Sequence, residues 1–197
     1  MRYIALVFVF ATTSISAGAA FADDKLKGTF AVAGITNCLV APSGFANDIK
    51  GNPTIASGND SFVLVQNFQA RLNFNGDGTG TASGTWMSML SAPPAKAAGS
   101  AGTFSYSFTH TPVTNNSFVT LPTPGTNKGG VDYGPSAGLQ FAVEDTFHRV
   151  FQLSNDQKSG TVATSKPEIE RLTYTQDSKT ITISRICFVA GSLARLD

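Results

Sequence analysis

The chain has 197 residues, with 14 Lys+Arg against 13 Asp+Glu and a formal net charge of +1. That balance supplies no basic footprint for a nucleic acid and no electrostatic grip on an anionic membrane surface. Fifteen Phe and 19 Gly, with many Ser and Thr and no long apolar or amphipathic helical window, select strands and disfavour a helical membrane anchor.

Taken in order, the chain opens on a short positive segment, Met1-Arg2, followed by an apolar core over 4–15. Ala20-Phe21-Ala22 matches an A-x-A cleavage site, so residues 1–22 read as a secretory signal peptide and the mature domain spans 23–197. Cleavage removes Arg2 and leaves 13 basic against 13 acidic residues. The expected location is exported, periplasmic or extracellular. About 175 mature residues suit one domain with a core of its own.

Residues 28–35 (GTFAVAGI) are the first predicted strand, and 37–53, with Cys38, Pro42, Gly44 and Pro53, read as a long loop with at most a short helical turn. The strongest signal in the chain is 61–89. Phe62, Leu64, Gln66, Phe68, Ala70, Leu72 and Phe74 alternate with mainly polar residues, a period of two that no helix produces. Asn75-Gly76-Asp77-Gly78 supplies the positive-φ residues of a tight hairpin turn. The return strand sets Gly80, Ala82, Gly84 and Trp86 on one face and Thr79, Thr81, Ser83 and Thr85 on the other. Bulky residues on one arm opposite small ones on the other predict a curved wall.

Residues 91–102 (SAPPAKAAGSAG) read as a mobile surface loop. Alternation returns at 103–111, with Phe104, Tyr106, Phe108 and His110 on one face, and a short strand comes next at 117–121. Residues 122–138 read as a second long loop. Strands are then predicted at 139–143, 147–153, 160–164, 169–175 and 180–189, with turns at 154–158 and 176–179. Nine or ten short strands at regular spacing make an all-β, antiparallel fold, a closed or nearly closed barrel of about 8–10 strands; a β-sandwich is the alternative. The barrel is preferred because closure removes exposed strand edges.

Cys38 and Cys187 form an even pair in an exported chain, so a disulfide is expected over two buried thiols. In a closed barrel first and last strands are neighbours, and the bridge would lock that seam. Arg185 shares a face with Ile181, Ile183 and Cys187, which calls for a partner, since an unpaired buried cation is costly. Glu170, one strand back, is the expected partner in a buried ion pair.

Several motif matches lack the context their chemistry needs. Gly134-Pro135-Ser136-Ala137-Gly138 fits G-x-S-x-G, but a loop precedes it and a strand-like run comes after, where a nucleophile elbow requires strand then helix. The run 73–78 resembles the start of a calcium loop, yet Gly84 stands where a bidentate Glu belongs. His110 and His148 have no metal-ligand spacing. Paired catalytic carboxylates, a Cys/His dyad and a phosphate-cradling glycine loop are all missing from the sequence, so no cofactor, metal or catalytic residue is assigned.

The runs GTFAVAGITNCLVAPSGF, FNGDGTGTASG and SRICFVAGSL resemble a set of uncharacterised exported bacterial β-barrel proteins, with one Cys after the first strand and one in the last. The resemblance implies the barrel and the bridge and implies no activity. A looser likeness to lipocalin-type barrels is architectural only. The leading expectation is a secreted, non-enzymatic barrel holding a small apolar ligand against Phe62, Leu64, Gln66, Phe68, Trp86, Phe104, Tyr106, Phe108 and His110. An isomerase or cyclase at the barrel mouth, using Tyr106, His110, Arg185 or Glu170, is the second expectation. A surface or interaction protein making contacts through 91–102 and 122–138 is the third.

Overall fold

The computed structural model of the chain describes residues 26–47, 53–55, 61–91, 98–144, 147–176 and 178–197. The predicted signal segment, residues 48–52 and 56–60, the centre of the predicted loop at 91–102, residues 145–146 and residue 177 lie outside them. Among the described residues the chain is all-β, in thirteen strands. These are β1 (Lys27–Ala41), β2 (Phe45–Asn47), β3 (Pro53–Ile55), β4 (Phe62–Asn75), β5 (Thr79–Ser91), β6 (Ala98–His110) and β7 (Ser117–Pro122). Then come β8 (Lys128–Tyr133), β9 (Gln140–Val143), β10 (Arg149–Leu153), β11 (Ser159–Ala163), β12 (Ile169–Gln176) and β13 (Lys179–Arg195). None of the described residues forms a helix long and apolar enough to cross a membrane.

One antiparallel sheet contains all of these except the small β2–β3 pair, and it closes on itself where β1 pairs with β13. The closure has two tiers. β6 pairs with β7 through Phe108–His110 and with β8 through Ala101–Ser105. β13 pairs with β11 through Ala190–Ala194 and with β12 through Lys179–Ile186. The gap between β6 and β13 is therefore spanned twice, by β7–β10–β11 in a lower tier and by β9 with β8 and β12 in an upper one. With β1, β4, β5, β6 and β13, each tier completes a ring of eight strands. Closure pairs β13 with β1 from Ser184 to Arg195, and so covers most of the edge that an open sheet would offer for edge-to-edge association.

The hairpin at 61–89 is β4 and β5, turned by Gly76 at φ 83° and Gly78 at φ 89°. Phe68 faces Trp86 across the pair and Phe74 faces Gly80. Gly80 has no side chain for a spatial reason: a Cβ there would strike the Phe108 ring and the Asn73 carbonyl. The lower end is filled. Phe74 meets Phe30, Phe108 and Phe118 edge-on at 5.6, 5.2 and 5.5 Å, and Phe118 stacks on Phe151 at 4.9 Å. Each such pair adds about 0.5–1.5 kcal/mol beyond the area it buries.

Several predicted boundaries change, among them the last strand, which runs to Arg195 rather than stopping at Val189. β1 runs on to Ala41 rather than stopping at Ile35, so Cys38 lies inside the strand; backbone pairing with both β4 and β13 carries it past polar Thr36 and Asn37. Beyond β1 the described residues form the β2–β3 pair, with Gly44 at φ 89° just before β2. The predicted loops at 91–102 and 122–138 contribute strands, since Ala98–Gly102 belongs to β6 and Lys128–Tyr133 is β8. Their glycines permit close approach rather than disorder: a Cβ at Gly102 would strike Gly130 and the Trp86 ring, and one at Gly129 would strike Phe141. Cys38 and Cys187 stand directly opposite each other in β1 and β13 and form the disulfide, with Cα atoms 4.1 Å apart.

Candidate binding site inside the ring

Above the filled lower end the interior is open. An inner cavity of about 150 Å³ is lined by Phe68, Phe104, Tyr106, Phe141, Phe147, Arg149 and Glu170 among others. An outer cavity of about 610 Å³ towards the upper end is lined by Phe62, Leu64, Ser88, Leu139, Ile183 and, at its rim, Pro135, Lys179 and Ile181. Gln66, Trp86, Leu172, Tyr174 and Arg185 line both. These residues come together because β4, β5, β6 and β13 each send every second side chain inward, and the upper-tier strands β9 and β12 do the same.

Seven of the nine residues proposed from the sequence face this space: Phe62, Leu64, Gln66, Phe68, Trp86, Phe104 and Tyr106. Phe108 and His110 do not. Phe108 is 1% exposed in the packed lower core. His110 sits lower still, its ring 5.4 Å from Phe74 and 5.7 Å from Phe118, with Nδ1 2.8 Å from the Thr111 carbonyl. Both share the inward face with Phe104 and Tyr106, but they lie too far down the ring, where Phe118 and Phe151 of the lower tier occupy the interior.

At the floor of the open space lies a buried charge cluster. Glu170 is 1% exposed and directly opposite Arg185 in the β12–β13 pair. Its Oε2 accepts from Arg185 Nε at 3.0 Å and lies 2.9 Å from Nη2 of the same guanidinium. Its Oε1 accepts from Arg149 Nη2 at 2.9 Å. Arg149 also donates to the His148 carbonyl at 3.1 Å, and its guanidinium lies 4.1 Å over the Phe147 ring. Arg149 begins β10 of the lower tier, whereas Glu170 and Arg185 belong to the upper, so the cluster stitches the tiers together. Arg149 is the site member that sequence reasoning misses. Its alternation with Phe147 and Phe151 marks an inward face, but its partner lies on a strand that no local pattern identifies.

Burial pushes the Tyr106 phenol above the ordinary tyrosine range, with Arg149 pulling it down and Glu170 pushing it up. Burial raises Tyr174 as well, against the pull of Arg185. The indole Nε1 of Trp86 is buried and has no hydrogen-bond partner among the described residues. Outside the ring interior, His148 pairs through Nδ1 with Glu168 at 2.5 Å, and Lys166 approaches the same carboxylate at 3.3 Å. Partial burial works to raise the Glu168 carboxyl, but the His148 N–H, its ring and Lys166 outweigh that and hold it below the usual range. The G-x-S-x-G run forms the turn between β8 and β9, with Gly134 at φ 105° and no helix after Ser136. Among the described residues no group of three His, Cys, Asp or Glu could hold a metal ion. On the outer wall, Ile35, Val63, Val65, Met87, Met89 and Phe188 are exposed on the adjacent strands β13, β1, β4 and β5.

No protein-family model matches this chain, and no curated protein matches it in sequence.

Proposed function

We propose that this is a non-enzymatic binding protein that holds a small, mainly apolar ligand inside its ring of strands. The observation that carries the reading is the contrast between the two ends: aromatic packing fills the lower end, while the upper interior keeps a cavity of about 610 Å³ above one of about 150 Å³. Ligand sites in proteins typically measure about 300–1,000 Å³ and combine apolar walls with a few fixed polar groups. Gln66, Trp86 and Arg185 are such groups among Phe62, Leu64, Phe68 and Phe104.

The chemistry favours binding over acid–base catalysis. Both Glu170 oxygens already accept from guanidinium groups, so neither is turned towards a ligand in the cavity. The Tyr106 phenol is pushed away from neutral pH rather than towards it. His110 stands outside the cavity. Trp86, the one tryptophan in the chain, lines both cavities and reports on them directly. Titrating the purified protein with a panel of fatty acids and aromatic compounds is expected to give a saturable shift or quenching of its fluorescence. No change across the panel would overturn the reading.

A further inference from the structure

Resting on that reading, we infer that the ligand is an amphiphile with one anionic head group, a carboxylate, seated at Arg185 with its apolar tail in the outer cavity. The charge of the lining points there. Among the described residues that line either cavity, the charged ones are Arg149, Arg185 and Lys179 against the single carboxylate of Glu170. Within the buried cluster two guanidiniums share that carboxylate, so one positive charge is left in an apolar surround. A net charge there is expensive unless a counter-charge meets it, and an entering monoanion supplies one.

The two arginines are not equivalent. Arg149 is committed to Glu170, to the His148 carbonyl and to the Phe147 ring. Arg185 lines both the inner and the outer cavity, so of the two arginines it is the one that a head group entering past the rim reaches first. Arg185 turns its Nε–Nη2 edge to Glu170, so a head-group carboxylate would be met by the remaining Nη1–Nη2 edge of the planar guanidinium. Trp86 lines the same two cavities and brings a buried indole N–H with no partner among the described residues, a second donor for the head group. A cationic ligand would instead meet Arg185 and Lys179 with like charge. A wholly apolar one would leave both the cluster charge and the Trp86 donor unanswered.

The test uses the mature protein at neutral pH and follows Trp86 fluorescence during titration with dodecanoate, dodecanol and dodecylammonium, which share one tail. Dodecanoate is expected to bind about tenfold or more tightly than dodecanol, the effect of a charge-assisted hydrogen bond, with dodecylammonium weakest. Arg185→Met should bring dodecanoate and dodecanol to similar affinity, and Arg185→Lys should keep part of the preference. Dodecanol binding as tightly as dodecanoate in the wild-type protein would overturn the head-group assignment and leave the apolar-ligand reading standing. A preference for dodecanoate that survives in a folded Arg185→Met protein would overturn the role of Arg185. Failure of all three to bind while aromatic probes do would also overturn the assignment, and failure of every probe would remove the parent reading with it.

Discussion

Glu170 holds two guanidiniums from different tiers through its two oxygens, and at 1% exposure water cannot take its place. Glu170→Gln keeps the shape but leaves two buried cations without a counter-charge. It should cost about 3–5 kcal/mol in urea unfolding, as removal of one partner from a buried ion pair does. Replacing all three members by apolar residues, as in Arg149→Met, Glu170→Leu, Arg185→Met, should cost far less, because no charge is stranded. Tyr106 gives a second prediction at this scale. Its pKa is raised in the folded protein, so its contribution to stability is complete below about pH 10 and is lost as pH rises through the folded value. Tyr106→Phe should therefore flatten the alkaline fall in stability, read as a smaller drop in urea midpoint between neutral and strongly alkaline solution.

The β4–β5 hairpin is the element in which local sequence and tertiary structure agree most fully. Its alternation, its Asn-Gly-Asp-Gly turn and its small-against-large pairing are all legible in the sequence, because each is a contact between near neighbours along the chain. Gly80 is the point of greatest constraint, where a side chain would strike Phe108 and the Asn73 carbonyl. Gly80→Val should destabilise the protein by about 1–3 kcal/mol, the usual range for overpacking a filled core. Ser83→Val, on the exposed face of the same strand, should stay within about 0.5 kcal/mol. Paired urea unfolding curves distinguish the two. By contrast β8 and the first part of β6 are hidden within runs of Gly, Pro and Ala that read as loops. Those small residues serve partners far away in sequence, the Trp86 and Phe141 rings, and no local pattern reveals them.

For the whole molecule the disulfide ties β1 to β13 across 149 residues, at the seam where the ring closes. By the chain-entropy account a bridge of that span stabilises by at most about 5 kcal/mol. The Cys38→Ala, Cys187→Ala protein should keep its strand-type circular dichroism while its urea midpoint falls markedly. Its denaturant dependence should steepen, because the unfolded chain is freed to expand. From its sequence alone the chain declares an antiparallel all-β wall, the inward face of each clear strand and the even cysteine pair. All three rest on a period of two, on turn residues and on composition, which need no knowledge of distant contacts. Only the tertiary structure decides how far along the ring each inward residue sits, and so which of them pack and which line a cavity. Phe104, Tyr106, Phe108 and His110 carry one uninterrupted pattern, yet the first two face open space and the last two pack against Phe74 in the filled lower end. Height along the ring is set by the two-tier pairing of β6 and β13, a matter of long-range register that alternation cannot encode.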